Sequence, residues 1–146
     1  EKELKRQNIV YEKLKIVPTP FNTIFWQGII KTKEGIYFSD YSLFDSQETL
    51  NFHYEKNDVD FIAEKMKITE LDPFFNFTEG FALARKEDNK MMIYGTKFGP
   101  MSIENGKANF IFPLAFNEDG SYVLSQKRPD SFKKILQNIF IRVKGN

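Results

Sequence analysis

The period of the apolar positions changes several times along the chain, and each change marks an element. Residues 1–15 are charge-rich and helix-favouring, with a thin apolar stripe at Leu4, Tyr11 and Leu14, which predicts a connector helix. Ile16-Val17-Pro18-Thr19-Pro20 then reads as extended, because a proline forces its predecessor out of the helical region. From Thr23 to Lys31 the chain is apolar and aromatic, Lys33-Glu34-Gly35 supplies a turn with glycine at an expected positive φ, and residues 36–44 form the partner strand. Leu50, Phe52 and Tyr54 alternate with Asn51, His53 and Glu55, so this strand is expected to have one wet face, with His53 on it.

The period then lengthens. Val59, Ile62, Ala63 and Met66 recur at helical spacing behind a cap at Asn57 or Asp58, and Asp72-Pro73 marks the limit or a kink. Phe74, Phe75 and Phe77 beside Gly80 fit a short second helix or an aromatic loop plugging the core, which periodicity does not separate, and the helix is favoured. Residues 81–86 and 91–97 read as a hairpin about Glu87-Asp88-Asn89-Lys90, with Gly95 and Gly99 marking backbone freedom near its end. Asn105-Gly106 is a type I′ turn signal for a third hairpin. Phe110, Phe112, Leu114 and Phe116 alternate with Ile111, Pro113 and Ala115, and Pro113, lacking a donor, argues for an edge or a bulge. Asp119-Gly120 turns the chain into Tyr122-Val123-Leu124. Last, Phe132, Ile135, Leu136, Ile139, Phe140 and Val143 form a helical stripe behind Pro129-Asp130-Ser131. The order predicts an α+β domain over residues 16–146: a mainly antiparallel sheet of seven to eight strands built from hairpins, packed by a central helix and a C-terminal amphipathic helix.

Composition narrows the chemistry. A chain of 146 residues forms one domain with a self-sufficient core, and its 16 Phe suit the gap between a sheet and helices. With no Cys and one His, cysteine zinc sites, thiol nucleophiles and His-rich metal centres are excluded. The 21 basic and 20 acidic residues nearly cancel, which gives no global field toward nucleic acid. No run approaches the roughly 18 apolar residues of a spanning helix.

Most candidate sites have an ordinary structural reading. His53 beside Glu55 fits a surface position better than a general base. Asp40, Asp45 and Glu48 lack the spacing of a calcium loop and suit turns. Asp58 and Asp60 complement a helix dipole. Lys127-Arg128 with Lys133-Lys134 makes a weak basic patch, and Asn76-Phe77-Thr78 matches a glycosylation pattern that is frequent by chance. Trp26, Tyr37, Tyr41 and Phe44 are the most informative cluster. On adjacent strands they can line an apolar pocket with Asn22 at its rim, although core packing is the commoner use of such residues.

Pro18-Thr19-Pro20-Phe21-Asn22, Trp26, the run from Tyr37 to Asp45, and Lys97-Phe98-Gly99 together resemble the soluble C-terminal part of a bacterial inner-membrane family, the LexA-binding, membrane-bound metal-dependent hydrolases. The resemblance spans about residues 10–146. It implies a C-terminal fragment: the family's transmembrane helices and metal-binding His and Asp residues lie in an N-terminal part missing here, so a divalent metal belongs there and no cofactor or catalytic residue to this chain. The start at Glu1 fits such a cut. Lys2, Lys5, Arg6, Lys13 and Lys15 then suit a cytoplasmic membrane-exit segment. The expected function is a non-catalytic, soluble accessory domain whose partner is its own N-terminal membrane region or another protein; the alternatives are a small-ligand-binding domain with an aromatic pocket and a protein-interaction module.

Overall fold

Among the described residues, three antiparallel sheets of four, four and two strands replace the single sheet of seven to eight expected from the sequence, within the α+β class that was expected. The computed structural model describes residues 1–19, 24–46, 49–111 and 113–124. The first sheet is a meander of β1 (Lys13–Pro18), β2 (Phe25–Lys31), β3 (Gly35–Ser42) and β4 (Phe52–Lys56). In the second, β5 (Ala82–Glu87), β6 (Lys90–Gly95), β9 (Pro113–Phe116) and β10 (Tyr122–Leu124) lie in the order β10-β9-β6-β5. A ribbon of β7 (Ser102–Glu104) and β8 (Lys107–Asn109) is the third.

The sheets are separate because residues 59–78 are helical. Helix α2 (Val59–Lys65), a 3₁₀ turn (Thr69–Leu71) and α3 (Asp72–Thr78) bury Phe61, Ile62, Ile68, Leu71, Phe74 and Phe75 against one face of the second sheet. Asp58 caps α2 by accepting the Phe61 N–H at 3.0 Å, as its position before the apolar stripe predicts. The other face of the second sheet packs on the first. Val17, Ile29, Ile36 and Phe38 meet Phe81, Leu83, Met92 and Tyr94, with Ala108 and Phe110 closing the layer. Two core layers result, one between sheets and one beneath helices.

Asn57 joins β4 to the second sheet. Its buried side chain donates to the Ala82 carbonyl at 2.9 Å and accepts the Ala84 N–H at 2.7 Å, so one amide takes the place of a neighbouring strand along β5. The Asp58 N–H adds a bond to the Ala84 carbonyl at 2.9 Å.

The connector helix expected over residues 1–15 is confined to α1 (Lys2–Arg6). Asn8, at φ 55°, lets the Ile9 N–H reach the Leu4 carbonyl and ends the helix. Strand β1 then begins at Lys13; its inward-side lysines reach past the sheet to α3, where Lys15 pairs with the Glu79 carboxylate and Lys13 donates to the Glu79 carbonyl at 2.9 Å. Asn105 and Gly106 have positive φ as expected, and so do Asp88 and Asn89, which close the β5–β6 hairpin without glycine. Gly35 differs from expectation: it is required by close approach rather than by positive φ. A Cβ there would meet the Tyr54 ring and, at 2.5 Å, the Glu55 carbonyl oxygen. Pro113 is not on an edge strand. It is the first residue of the interior strand β9, beyond the register of β10, where its missing N–H is tolerated. The C-terminal helix expected over 129–143 lies outside the described residues.

Asn57→Ala leaves the Ala82 carbonyl and the Ala84 N–H buried without their partner. Urea denaturation should show a loss of about 2–5 kcal/mol, with Asn57→Asp also destabilising because a carboxylate cannot donate to Ala82.

Candidate functional site

Strand register decides what the first sheet shows on the face turned away from the second. Trp26 pairs with Tyr41, Gly28 with Ser39 and Ile30 with Tyr37, while β1 adds Leu14 and Ile16, and β4 adds Phe52 and Tyr54. All lie on this outer face. Helix α1 packs across part of it through Leu4, which is 3% exposed and is the helix's buried residue. Between α1 and the sheet runs a trough of about 370 Å³ walled by Leu4, Leu14, Trp26, Ile30, Tyr41 and Phe52, with Gly28 and Ser39 along its floor. Among the described residues its charged lining residues are Glu1 and Glu3. Glu3 is turned back to Arg6 at 2.6 Å and Gln7 at 2.7 Å, and these hydrogen bonds hold its carboxyl below its usual range. Gln7 also donates to the Leu50 carbonyl at 3.2 Å, which ties α1 to the far rim.

The residues singled out in the sequence are partly brought together. Trp26 and Tyr41 face each other in the trough instead of packing in a core layer. Tyr37 shares the outer face but stands further along, its ring 4.7 Å from Tyr54 and 6.4 Å from Phe52. Phe44 is exposed, with its N–H on the Ser42 hydroxyl at 3.2 Å. Asn22 lies outside the described residues, as do Glu48 and the basic run at 127–134. Leu4, Leu14, Gly28, Ser39 and Phe52 were not among the expected pocket residues. The period-two pattern combined with cross-strand register would have found the last three.

His53 and Glu55 overturn the expected wet face of β4: their side chains point inward, between the sheets. Glu55 is 9% exposed. One of its oxygens accepts the Ala108 N–H and contacts His53 Nε2 at 2.9 Å; the other lies 3.0 Å from Arg85 Nη1. Arg85 continues through Nε to Glu87 at 2.7 Å and through Nη2 to the Ala108 carbonyl at 2.7 Å, and stacks over the Tyr94 ring. Tyr94 Oη donates to the same Glu87 oxygen at 2.6 Å, and Lys107 pairs with it at 3.2 Å. This cluster joins both sheets and the β7–β8 ribbon.

Burial would raise the Glu55 pKa, but the Ala108 amide, His53 and Arg85 outweigh it and hold the carboxyl below its ordinary range. Burial likewise opposes ionisation of Glu87, yet Tyr94, Arg85 and Lys107 bring its pKa down to about 2. Burial and the Glu87 hydrogen bond raise the Tyr94 hydroxyl. The groups are thereby committed to one another as a structural clamp.

Among the described residues no group of three or more His, Asp or Glu is placed to hold a metal ion, and no helix is long and apolar enough to cross a membrane. Asp45 accepts the Ser42 N–H at 2.8 Å, which is turn chemistry. Thr78, in the glycosylation-like triplet, is buried and donates to the Phe75 carbonyl at 2.8 Å. No family model, curated protein or solved structure matches this chain.

Because the Glu87 pKa is depressed from 4.5 to about 2, its contribution is complete above the unfolded pKa and is lost as pH falls through that interval. Denaturant titrations at a series of pH values should show the loss between about pH 5 and 2 in the native chain, and a distinctly flatter profile in Glu87→Gln.

Proposed function

We propose that the domain is a non-catalytic binding module that takes a small apolar molecule in the trough between α1 and the first sheet. The observation that carries this reading is the trough itself: a walled apolar space at the lower end of the size range of small-molecule sites. Its rim keeps apolar groups in water, with Ile16 62% and Leu43 58% exposed, and covering them is favourable by roughly 25 cal/mol per Å². A space of this size favours a small occupant, since a stable protein partner would cover about 800 Å² of surface on each side. The ionisable groups of the Arg85 cluster are occupied with one another, which supports binding over catalysis. In a membrane-bound parent protein of the kind the sequence resembles, this is an accessory role with a ligand attached to it.

Trp26 is the chain's single tryptophan and lines the trough, so it reports occupancy directly. The neutral dye N-phenyl-1-naphthylamine should bind the native chain and take up energy from Trp26. Gly28→Leu should weaken that binding at least about tenfold with an unchanged circular dichroism spectrum, because a Cβ at Gly28 makes only ordinary contacts of 3.8–3.9 Å while a longer side chain fills the floor. A native chain that does not bind the dye, or a Gly28→Leu variant that binds it equally well, contradicts the proposal.

A further inference from the structure

The floor of the trough carries one polar atom without a partner. Ser39 is 4% exposed, and its Oγ makes no hydrogen bond among the described residues. Three other buried hydroxyls are satisfied: Thr19 donates to the Phe25 carbonyl at 3.1 Å, Thr78 to the Phe75 carbonyl at 2.8 Å, and the Ser42 hydroxyl accepts the Phe44 N–H at 3.2 Å. Thr96 Oγ1 is also unpartnered but is not on the trough wall. A hydroxyl shielded from water and left unpaired is costly, so a ligand that pairs it gains what the empty site lacks.

Register places Ser39 between Gly28 on β2 and Phe52 on β4. Gly28 has no side chain to cover its neighbour: a Cβ built there would lie 3.9 Å from the Ser39 Cβ. Gly28 thus leaves the Ser39 side chain without a side-chain cover on that side, and Leu14, Trp26 and Ile30 line the trough around it. Charge limits what that molecule can be. Among the described residues no Lys or Arg side chain lines the trough, and the charged side chains along it are those of Glu1 and Glu3. A buried anion would find no counter-charge, and a cation would have to draw Glu3 away from Arg6 and Gln7.

We infer that the trough selects neutral apolar molecules bearing a single carbonyl or hydroxyl oxygen, which Ser39 Oγ hydrogen-bonds at the floor. This rests on the reading of the trough as a ligand site and names the class of ligand. A serine hydroxyl both donates and accepts, so it serves a ketone, an ester or an alcohol alike.

The test compares three compounds of similar size, hexanophenone, hexylbenzene and 6-phenylhexanoate, as competitors of N-phenyl-1-naphthylamine on the full chain and on Ser39→Ala. The expected result is that Ser39→Ala weakens hexanophenone about three- to tenfold, leaves hexylbenzene unchanged, and that the carboxylate is the weakest competitor of the native chain. The unfolding midpoint of unliganded Ser39→Ala should be unchanged or raised, since the variant removes an unpaired buried hydroxyl; a purely structural serine would lower it. If Ser39→Ala alters ketone and hydrocarbon equally, or alters neither, or if the carboxylate binds best, the inference is overturned while the trough remains a binding site. If none of the three displaces the dye, the trough reading fails as well.

Discussion

The contact of Arg85 with Glu55 and Glu87 fixes which face of β4 points into the protein, and most of the molecule follows from that choice. Side chains alternate along a strand, so a slip of one residue would carry Glu55 to the outside and put Tyr54 between the sheets. The Arg85 guanidinium and the Ala108 peptide group together accept only the first arrangement, because they supply donors for a carboxylate at that position. A buried ionic cluster of this kind is a weak source of net stability, since desolvation offsets much of the attraction. Its effect here is on register.

The outer face is the consequence. With His53 and Glu55 turned inward, Phe52 and Tyr54 turn outward and join Leu14, Ile16, Trp26, Ile30, Tyr37 and Tyr41 on a sheet face that, among the described residues, only α1 packs across. Helix α1 has five residues and one buried side chain, so its intrinsic stability is small and its position depends on Leu4 and on the Gln7 contact with Leu50. One wall of the trough is therefore held far more lightly than the floor. In the proposed ligand site a rigid sheet is thus paired with a weakly held wall.

Much of this was legible in the sequence. The Asn105-Gly106 turn, the helix behind Asp58, the short helix at Phe74 and Phe75, and the facing pair Trp26 and Tyr41 follow from local pattern, because each depends on residues near in the chain. The inverted β4 was not legible. Alternation shows that a strand has two unlike faces, but the side that is buried depends on Arg85 and Ala108, some thirty and fifty residues away. Strand β1 was hidden for a related reason: Lys13 and Lys15 look like a helical charged surface until Glu79 is placed beside them. The joining of the two main sheets was equally remote, since the Asn57 amide meets the edge of β5 across 25 residues of chain. Ser39 gave no signal of its own, being a common residue in a strand whose significance comes from Gly28 opposite and from the absence of a partner.

The central claim is that the outward face of the first sheet, and not the layer between the sheets, receives the ligand. Amide chemical-shift mapping during titration with N-phenyl-1-naphthylamine tests it most directly. Saturable shifts are expected to concentrate at Leu4, Leu14, Gly28, Ile30, Ser39 and Phe52, with Leu83, Ile93 and Leu114 of the second sheet little changed. Shifts centred on the second sheet or on the exposed Phe77 and Phe98 pair, with Gly28 and Ser39 unmoved, would contradict it.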